Sequence, residues 1–135
     1  MNPQEITAYL AASPIAVVAT IHRNGHPHPT PNWHRYDGQV LTLITRKDRL
    51  NYLNLHRDHR ISVCIYDPPA ASNYVDISGT ATCKDQDIWD EARRIIKRYR
   101  RPDEVDDYLA RWKTEPHVLI TVITEGIATR RTSRW

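Results

Sequence analysis

Residues 15–25 read Ile15-Ala16-Val17-Val18-Ala19-Thr20-Ile21-His22-Arg23-Asn24-Gly25. The first seven are small or β-branched, which suits a pleated, half-buried strand, and Asn24-Gly25 is the pair that a type I′ hairpin turn demands. The stretch is therefore strand, turn and returning strand, and an antiparallel sheet becomes the frame for everything else. The returning segment, His26 to Tyr36, carries Pro27, Pro29 and Pro31. None of them can donate a ladder hydrogen bond, so its first half is expected to be irregular or at a sheet edge, with regular pairing resuming near Asn32. Asp37-Gly38 signals a second hairpin. Gln39 to Thr45 then sets Val40, Thr42 and Ile44 against Leu41 and Leu43, as a buried strand would.

Upstream, Asn2 followed by Pro3 supplies an N-cap and a first-turn proline for a short helix carrying Ile6, Tyr9 and Leu10, which Ser13-Pro14 stops. Downstream, Lys47 to Arg57 has Leu50, Leu53 and Asn54 at helical spacing, and Ile61 to Tyr66 reads as a strand closed by Asp67-Pro68-Pro69. Tyr74 to Cys83 is a further strand, in which Gly79 suggests a bulge or a close backbone approach. Ile88, Trp89, Ala92, Ile95, Ile96 and Tyr99 form one helical stripe, with Asp85 available as its cap. Pro102-Asp103-Glu104 opens a second helix with the stripe Val105, Tyr108, Leu109 and Trp112, and Pro116 ends it. Val118 to Thr124 is the last strand, and Glu125 to Trp135 is read as a basic tail. The expected class is α+β: a six-stranded antiparallel sheet closing on itself as a small barrel, with peripheral helices.

The chain has 135 residues, 40% of them hydrophobic, which supports one core in a single domain over residues 1–135. No apolar run approaches the length of a membrane-spanning helix. The N-terminus lacks the basic and apolar regions of a secretory signal, so a cytoplasmic location is expected. Cys64 and Cys83 lie in β-branched apolar runs without a CxxC pair, as reduced, buried thiols would. Nineteen Lys and Arg against 16 Asp and Glu give a net charge of +3, too small to choose among a phosphate-bearing cofactor, a nucleic acid and solubility.

Chemistry has few places to reside. Thr45-Arg46-Lys47-Asp48-Arg49 joins the end of a buried strand to a helix start, which suits a phosphate, although basic residues at such corners are common as a solvated helix start. Trp33-His34 could stack on or hydrogen-bond to a planar ring, or be a core tryptophan beside an exposed neighbour. His26, His28 and His34 share parity but have prolines between them and no carboxylate or thiolate at ligand spacing, so no metal site is expected. GxSxG, HExxH, GxGxxG and GxxxxGK[ST] are all absent, which disfavours hydrolysis and a glycine-rich phosphate cradle. Arg93, Arg94, Lys97, Arg98, Arg100 and Arg101 make a basic face. The acids Asp85, Asp87, Asp90 and Glu91 precede it, an arrangement the helix dipole favours without any nucleic acid.

Four stretches in register carry a resemblance. They are Ser13 to Thr20 with Asn24-Gly25-His26-Pro27, then Pro31-Asn32-Trp33, then Asn54 to Val63, then Ser78-Gly79-Thr80-Ala81. In order and spacing they resemble the pyridoxamine 5′-phosphate oxidase-like split β-barrel flavoproteins, most of all the small branch that uses FMN or the deazaflavin F420. The resemblance implies a homodimer with two cofactor grooves at its interface. By position, Asn32, Trp33 and His34 would border the ring system. Thr45, Arg46, Lys47 and Arg49, with Asn51, would surround the phosphate, and Trp112 and the tail near Trp135 would close the groove from the partner subunit. It departs from the family where a phosphate-binding lysine is replaced by Asn51 and a proline by His59, leaving Arg49 or Lys47 as the substitute cation. The expected activity is hydride transfer between F420 or FMN and a small planar organic substrate, with no obvious acid-base pair in the protein. Two other readings stay open: a flavin- or haem-binding protein without enzymatic activity, with His34 or His117 as axial ligand, and a nucleic-acid-binding module.

Overall fold

The computed structural model describes residues 1–67 and 72–130. Helix α1 spans Pro3–Ala12, and the Asn2 side chain caps it by accepting from the Glu5 amide at 2.8 Å. The strands are β1 (Ile15–Ile21), β2 (Pro27–Asn32), β3 (His34–Tyr36), β4 (Leu41–Arg46), β5 (Arg60–Tyr66), β6 (Tyr74–Lys84) and β7 (His117–Arg130). Helix α2 (Leu50–Arg57) follows β4, and α3 (Trp89–Tyr99) and α4 (Val105–Trp112) lie between β6 and β7. The class is α+β. All pairings are antiparallel, in the order β2-β1-β5-β6-β7-β4-β3, and the sheet curls into a half-barrel.

There are seven strands rather than six, because the segment expected as one strand breaks at Trp33. Its first part, β2, pairs with β1 from Pro27 to Asn32, so the ladder is regular throughout instead of resuming near Asn32. The edge position explains this. The three prolines alternate along β2 and are exposed, so their missing N–H groups fall on the free side, where they also block pairing with another chain. In the β1–β2 turn only Gly25 has positive φ, at 89°, and the Gly25 amide donates to the His22 carbonyl. That is the pattern of a three-residue turn ending in a left-handed glycine, not the type I′ turn expected from Asn24-Gly25.

Strand β4 is buried on both faces. Leu41 and Leu43 join the interior core with Leu10, Val18, Val63, Ile77 and Ile120, while Ile44 joins an outer core with Ile88, Ile95, Ile96 and Leu109 beneath α3 and α4. Asp85 does not cap α3. Its carboxylate is drawn to Lys47, and Ile88 occupies the cap position without a side-chain bond. The presumed tail from Glu125 is strand as far as Arg130, where β7 runs beside the whole length of β6. Cys64 is half-buried because alternation along β5 turns it to the outer face, and Cys83, which shares the parity of Ile77 and Ala81, is exposed near the end of β6; both are free.

Gly79 fulfils both readings of the sequence. The register shifts between Ser78 and Gly79, and a Cβ at Gly79 would lie 1.9 Å from the Ile123 carbonyl oxygen. Gly79→Ala is therefore expected to destabilise the fold by about 2 kcal/mol or more, because backbone must move in the centre of the longest strand pair. Equilibrium urea denaturation reads this directly, and a change under about 0.5 kcal/mol would show that the approach relaxes freely.

Candidate functional site

Where β2 gives way to β3, the two edges of the curled sheet approach one another. The Asn32 amide donates to the Ile44 carbonyl at 2.9 Å, taking the place of a missing ladder bond between β2 and β4. Helix α2 closes the gap with a polar face. Asn51 Nδ2 donates to Asn32 Oδ1 at 3.1 Å and to Thr30 Oγ1 at 3.5 Å, while its Oδ1 accepts from Thr45 Oγ1 at 3.0 Å. One turn on, Asn54 donates to Thr20 Oγ1 at 3.1 Å, and Leu55 enters the interior core. The buried face is thus Asn51, Asn54 and Leu55. The leucines that marked the helix in the sequence, Leu50 and Leu53, are 43% and 50% exposed.

Above this seam lies a cleft of about 1000 Å³. Thr30, Asn32 and Trp33 form one side, Ile44, Thr45 and Arg46 the base, and Arg49, Leu50 and Asn51 the start of α2. Arg111, Trp112, Glu115 and His117 add to the lining, with Trp112 5.6 Å from Trp33, and Pro14 to Ala16 complete the wall. Seven of the nine residues singled out from the sequence therefore meet in one cleft: Asn32, Trp33, Thr45, Arg46, Arg49, Asn51 and Trp112. His34 and Lys47 do not line it, and Trp112, expected to reach the groove from a partner subunit, lines the cleft of its own chain because α4 packs it 5.6 Å from Trp33. The contribution expected from Trp135 lies outside the described residues.

The charges are unequally available. The Arg46 guanidinium is shared between Asp48, at 2.7 and 2.9 Å, and Glu115 at 2.5 Å. Those carboxylates hold Arg46 above its ordinary pKa, Asp48 most strongly, and Arg46 in turn holds Asp48 below the usual carboxylate range. Lys47 Nζ is 2.6 Å from Asp85. The Arg49 side chain makes no ion pair or hydrogen bond among the described residues, its charge only helping to lower the pKa of Asp48, and Arg111 lies 4.4 Å from the centre of the Tyr108 ring. The spare positive charge is at the rim, and the floor at Asn51 is neutral.

Aromatic rings build the wall. Trp33 stacks on Tyr99 at 4.6 Å with the rings 4° from parallel, tilts against Tyr108 and Trp112, and has the Arg100 guanidinium 5.1 Å from its centre. The ring that the sequence offered for stacking on a ligand is engaged with its neighbours. The basic face of α3 is likewise occupied. Arg93 pairs with Asp106, Arg94 with Glu91, and Arg101 with Asp103 and Glu104, while Arg98 is turned inward.

His34 faces the opposite way from Trp33. It pairs with Leu43, points into the interior and is 0% exposed. Its Nδ1 is 3.2 Å from the Tyr99 hydroxyl, and its Nε2 is buried without a partner. Burial, reinforced by the Arg98 charge, lowers its pKa to about 4. His117 and Tyr99, absent from the residues placed by family position, do line the cleft. The signal that could have found them is the covering of β4 by the two apolar helix stripes, which sends Arg46 and its cross-strand partner His117 to the same outer face.

Against known proteins, residues 3–128 match the family profile described as pyridoxamine 5′-phosphate oxidase. No curated protein sequence matches significantly. Among solved structures, the conserved hypothetical protein Rv2991 from Mycobacterium tuberculosis is 23% identical, with 96% of this chain and 84% of that one covered and a TM-score of 0.79. An F420 reductase is 18% identical over 90% of this chain and 94% of its own, with a TM-score of 0.71. General Stress Protein 26 from Bacillus anthracis is 16% identical over 95% and 92%, with a TM-score of 0.69. At these identities the likeness is one of fold. No helix among the described residues is long and apolar enough to cross a membrane.

Two outcomes test the site's construction. A histidine whose folded pKa of about 4 lies below its unfolded value near 6.5 binds fewer protons in the native state. Its penalty is absent at pH 7 and grows as pH falls through 6.5 toward 4. Stability should therefore drop by up to about 3 kcal/mol over that window in denaturation series, and His34→Leu should flatten the slope. Separately, Asn51→Ala should cost about 2 kcal/mol, since three bonds are lost around a buried amide. Arg49→Ala should stay within about 0.5 kcal/mol of wild type.

Proposed function

The chain belongs to the pyridoxamine 5′-phosphate oxidase family, and from that premise we propose that it is an oxidoreductase whose cleft holds F420 or FMN and exchanges a hydride with a small planar organic substrate. The observation that carries this reading is the cleft itself. It has the size of a cofactor site, an apolar wall, a few fixed polar groups, and one guanidinium, Arg49, with no partner of its own. An unspent cation at the rim fits a ligand with an anionic tail, so the residues present suit either cofactor. Asn51, whose amide is fully used in holding α2 to the seam, is assigned a structural part, and Arg49 replaces the lysine expected there.

When bound, either cofactor supplies hydride transfer, and FMN single-electron transfer as well. The protein orients and shields. Arg49 anchors the anionic end, and Ile44, Ala16 and Pro14 give an apolar bed for a planar ring. The Trp33–Tyr99–Trp112 wall excludes water from one side. The open side calls for a second copy. Leu50 at the rim and Leu53 beyond it are exposed leucines on one face of α2, and Ile123 and Ile127 are exposed on β7, surfaces that a homodimer would cover. We place the protein in the cytoplasm, where free thiols such as Cys64 and Cys83 persist.

The alternative of a haem protein narrows to His117, since His34 is sealed from the cleft. Side-by-side titration of the purified chain with FMN, F420 and haemin, read by cofactor fluorescence and by the Soret band, separates these readings. Saturable binding of FMN or F420 at micromolar affinity or better is expected, and Arg49→Ala should weaken it about tenfold or more. A Soret shift without flavin or deazaflavin binding would favour the haem reading, and binding of none would overturn the proposal. Light scattering should give a dimer, and a monomer at micromolar concentration would remove the two-subunit groove.

A further inference from the structure

The cleft contains one nitrogen that is fixed in place and left unused. His117 begins β7 opposite Arg46 and is almost fully buried, yet it lines the cleft. Its Nδ1 is 3.0 Å from the Trp112 carbonyl oxygen and 3.4 Å from that of Glu115. Carbonyl oxygens only accept, so Nδ1 must carry the ring proton, and in the neutral imidazole Nε2 is then a bare lone pair. The ring is also held flat. It stacks on Trp112 at 4.6 Å and 19°, and meets Trp89 edge-on at 6.3 Å. Nε2 has no partner among the described residues and, unlike Nε2 of His34, is not sealed in the interior. The neighbouring charges offer it nothing, since Arg46 is divided between Asp48 and Glu115.

We propose that His117 Nε2 is a specificity-determining acceptor that receives a hydrogen bond from an N–H or O–H group on the edge of the molecule bound in the cleft. The inference rests on the cleft being the binding site. It adds a chemical requirement: the occupant is a heterocycle with an imide, lactam or hydroxyl donor, and an analogue methylated at that donor is rejected. Binding in this sense is paid twice over when the donor is missing, because the analogue loses a bond and leaves Nε2 desolvated.

Two measurements test it. Nitrogen NMR of the histidine-labelled protein should show the Nδ1–H tautomer of His117, and its Nε2 signal should move on saturation with FMN or F420; an Nε2–H tautomer would overturn the proposal. Fluorescence titration with the same two cofactors should show about fivefold to tenfold weaker binding for His117→Asn, whose amide can keep the bond to the Trp112 carbonyl but does not reach the Nε2 position. His117→Gln, which places an amide near Nε2, should recover most of the loss. Equal affinity of wild type and His117→Asn would overturn the inference while leaving the cleft intact. Failure of the wild-type chain to bind either cofactor would overturn the functional reading and this one with it.

Discussion

Strands β2 and β3 lie at opposite edges of a seven-stranded sheet, yet Trp33 alone separates them in the chain. In a flat sheet the edge strands would be about 29 Å apart, whereas one intervening residue spans roughly 7 Å. The sheet therefore has to curl until its edges nearly touch. Other features follow from that joint. The edges cannot pair regularly with a single residue between them, so a seam of unpaired polar groups opens there, and the cleft forms above it. The indole at the joint cannot turn inward without displacing the core, so it lies outside, and Tyr99, Tyr108, Trp112 and Arg100 gather round it.

The last turn of α3 holds the joint in position. Arg98 is a half-buried cation with no carboxylate partner among the described residues. Its guanidinium donates to the carbonyls of Leu10 and Ala11, at the negative end of α1, and to that of His34. Burial lowers its pKa, but three carbonyl partners make the charge tolerable. The next residue continues the clamp: the Tyr99 hydroxyl accepts from the His34 amide at 2.9 Å and lies 3.0 Å from the Pro14 carbonyl oxygen. Two adjacent side chains thus fix β3, the end of α1 and the entry to β1, and so place both Pro14 and Trp33 on the cleft wall.

What the sequence made legible was what local chemistry determines. The capped α1, the hairpin at Asp37-Gly38, the stripes of α3 and α4 and the bulge at Gly79 each rest on residues near one another in the chain. The cleft residues at the end of β4 were legible because a strand-to-helix corner is a local feature. The misreadings came from partners distant in sequence. Leu50 and Leu53 looked like the buried face of α2, but that helix packs on Thr20, Thr30, Asn32 and Thr45, whose polar groups select asparagines. The resemblance implies His34 at the ring system, and the break between β2 and β3 sends it inward. Asp85 was a reasonable cap until Lys47, 38 residues away, claimed its carboxylate. Glu125 to Arg130 looked like a tail because pairing with β6 is invisible in the segment itself.

The amide at position 51 is part of the same construction. An asparagine there both donates and accepts, which lets Thr45, Asn32 and Thr30 all bond to one side chain. A lysine could only donate, leaving Thr45 Oγ1 without its acceptor and placing a charge against a surface that has no anion to meet it. Asn51 and its three partners therefore belong together, and the cleft's exposed positive charge is that of Arg49, at the helix start and open to solvent. The result is a polarised cleft. Its floor is neutral and rigid, its base carries an arginine already satisfied by two carboxylates, and its rim carries the charge that remains free. In the proposed binding mode the anionic tail would meet the charge of Arg49 at the helix start, and His117 lines the same cleft.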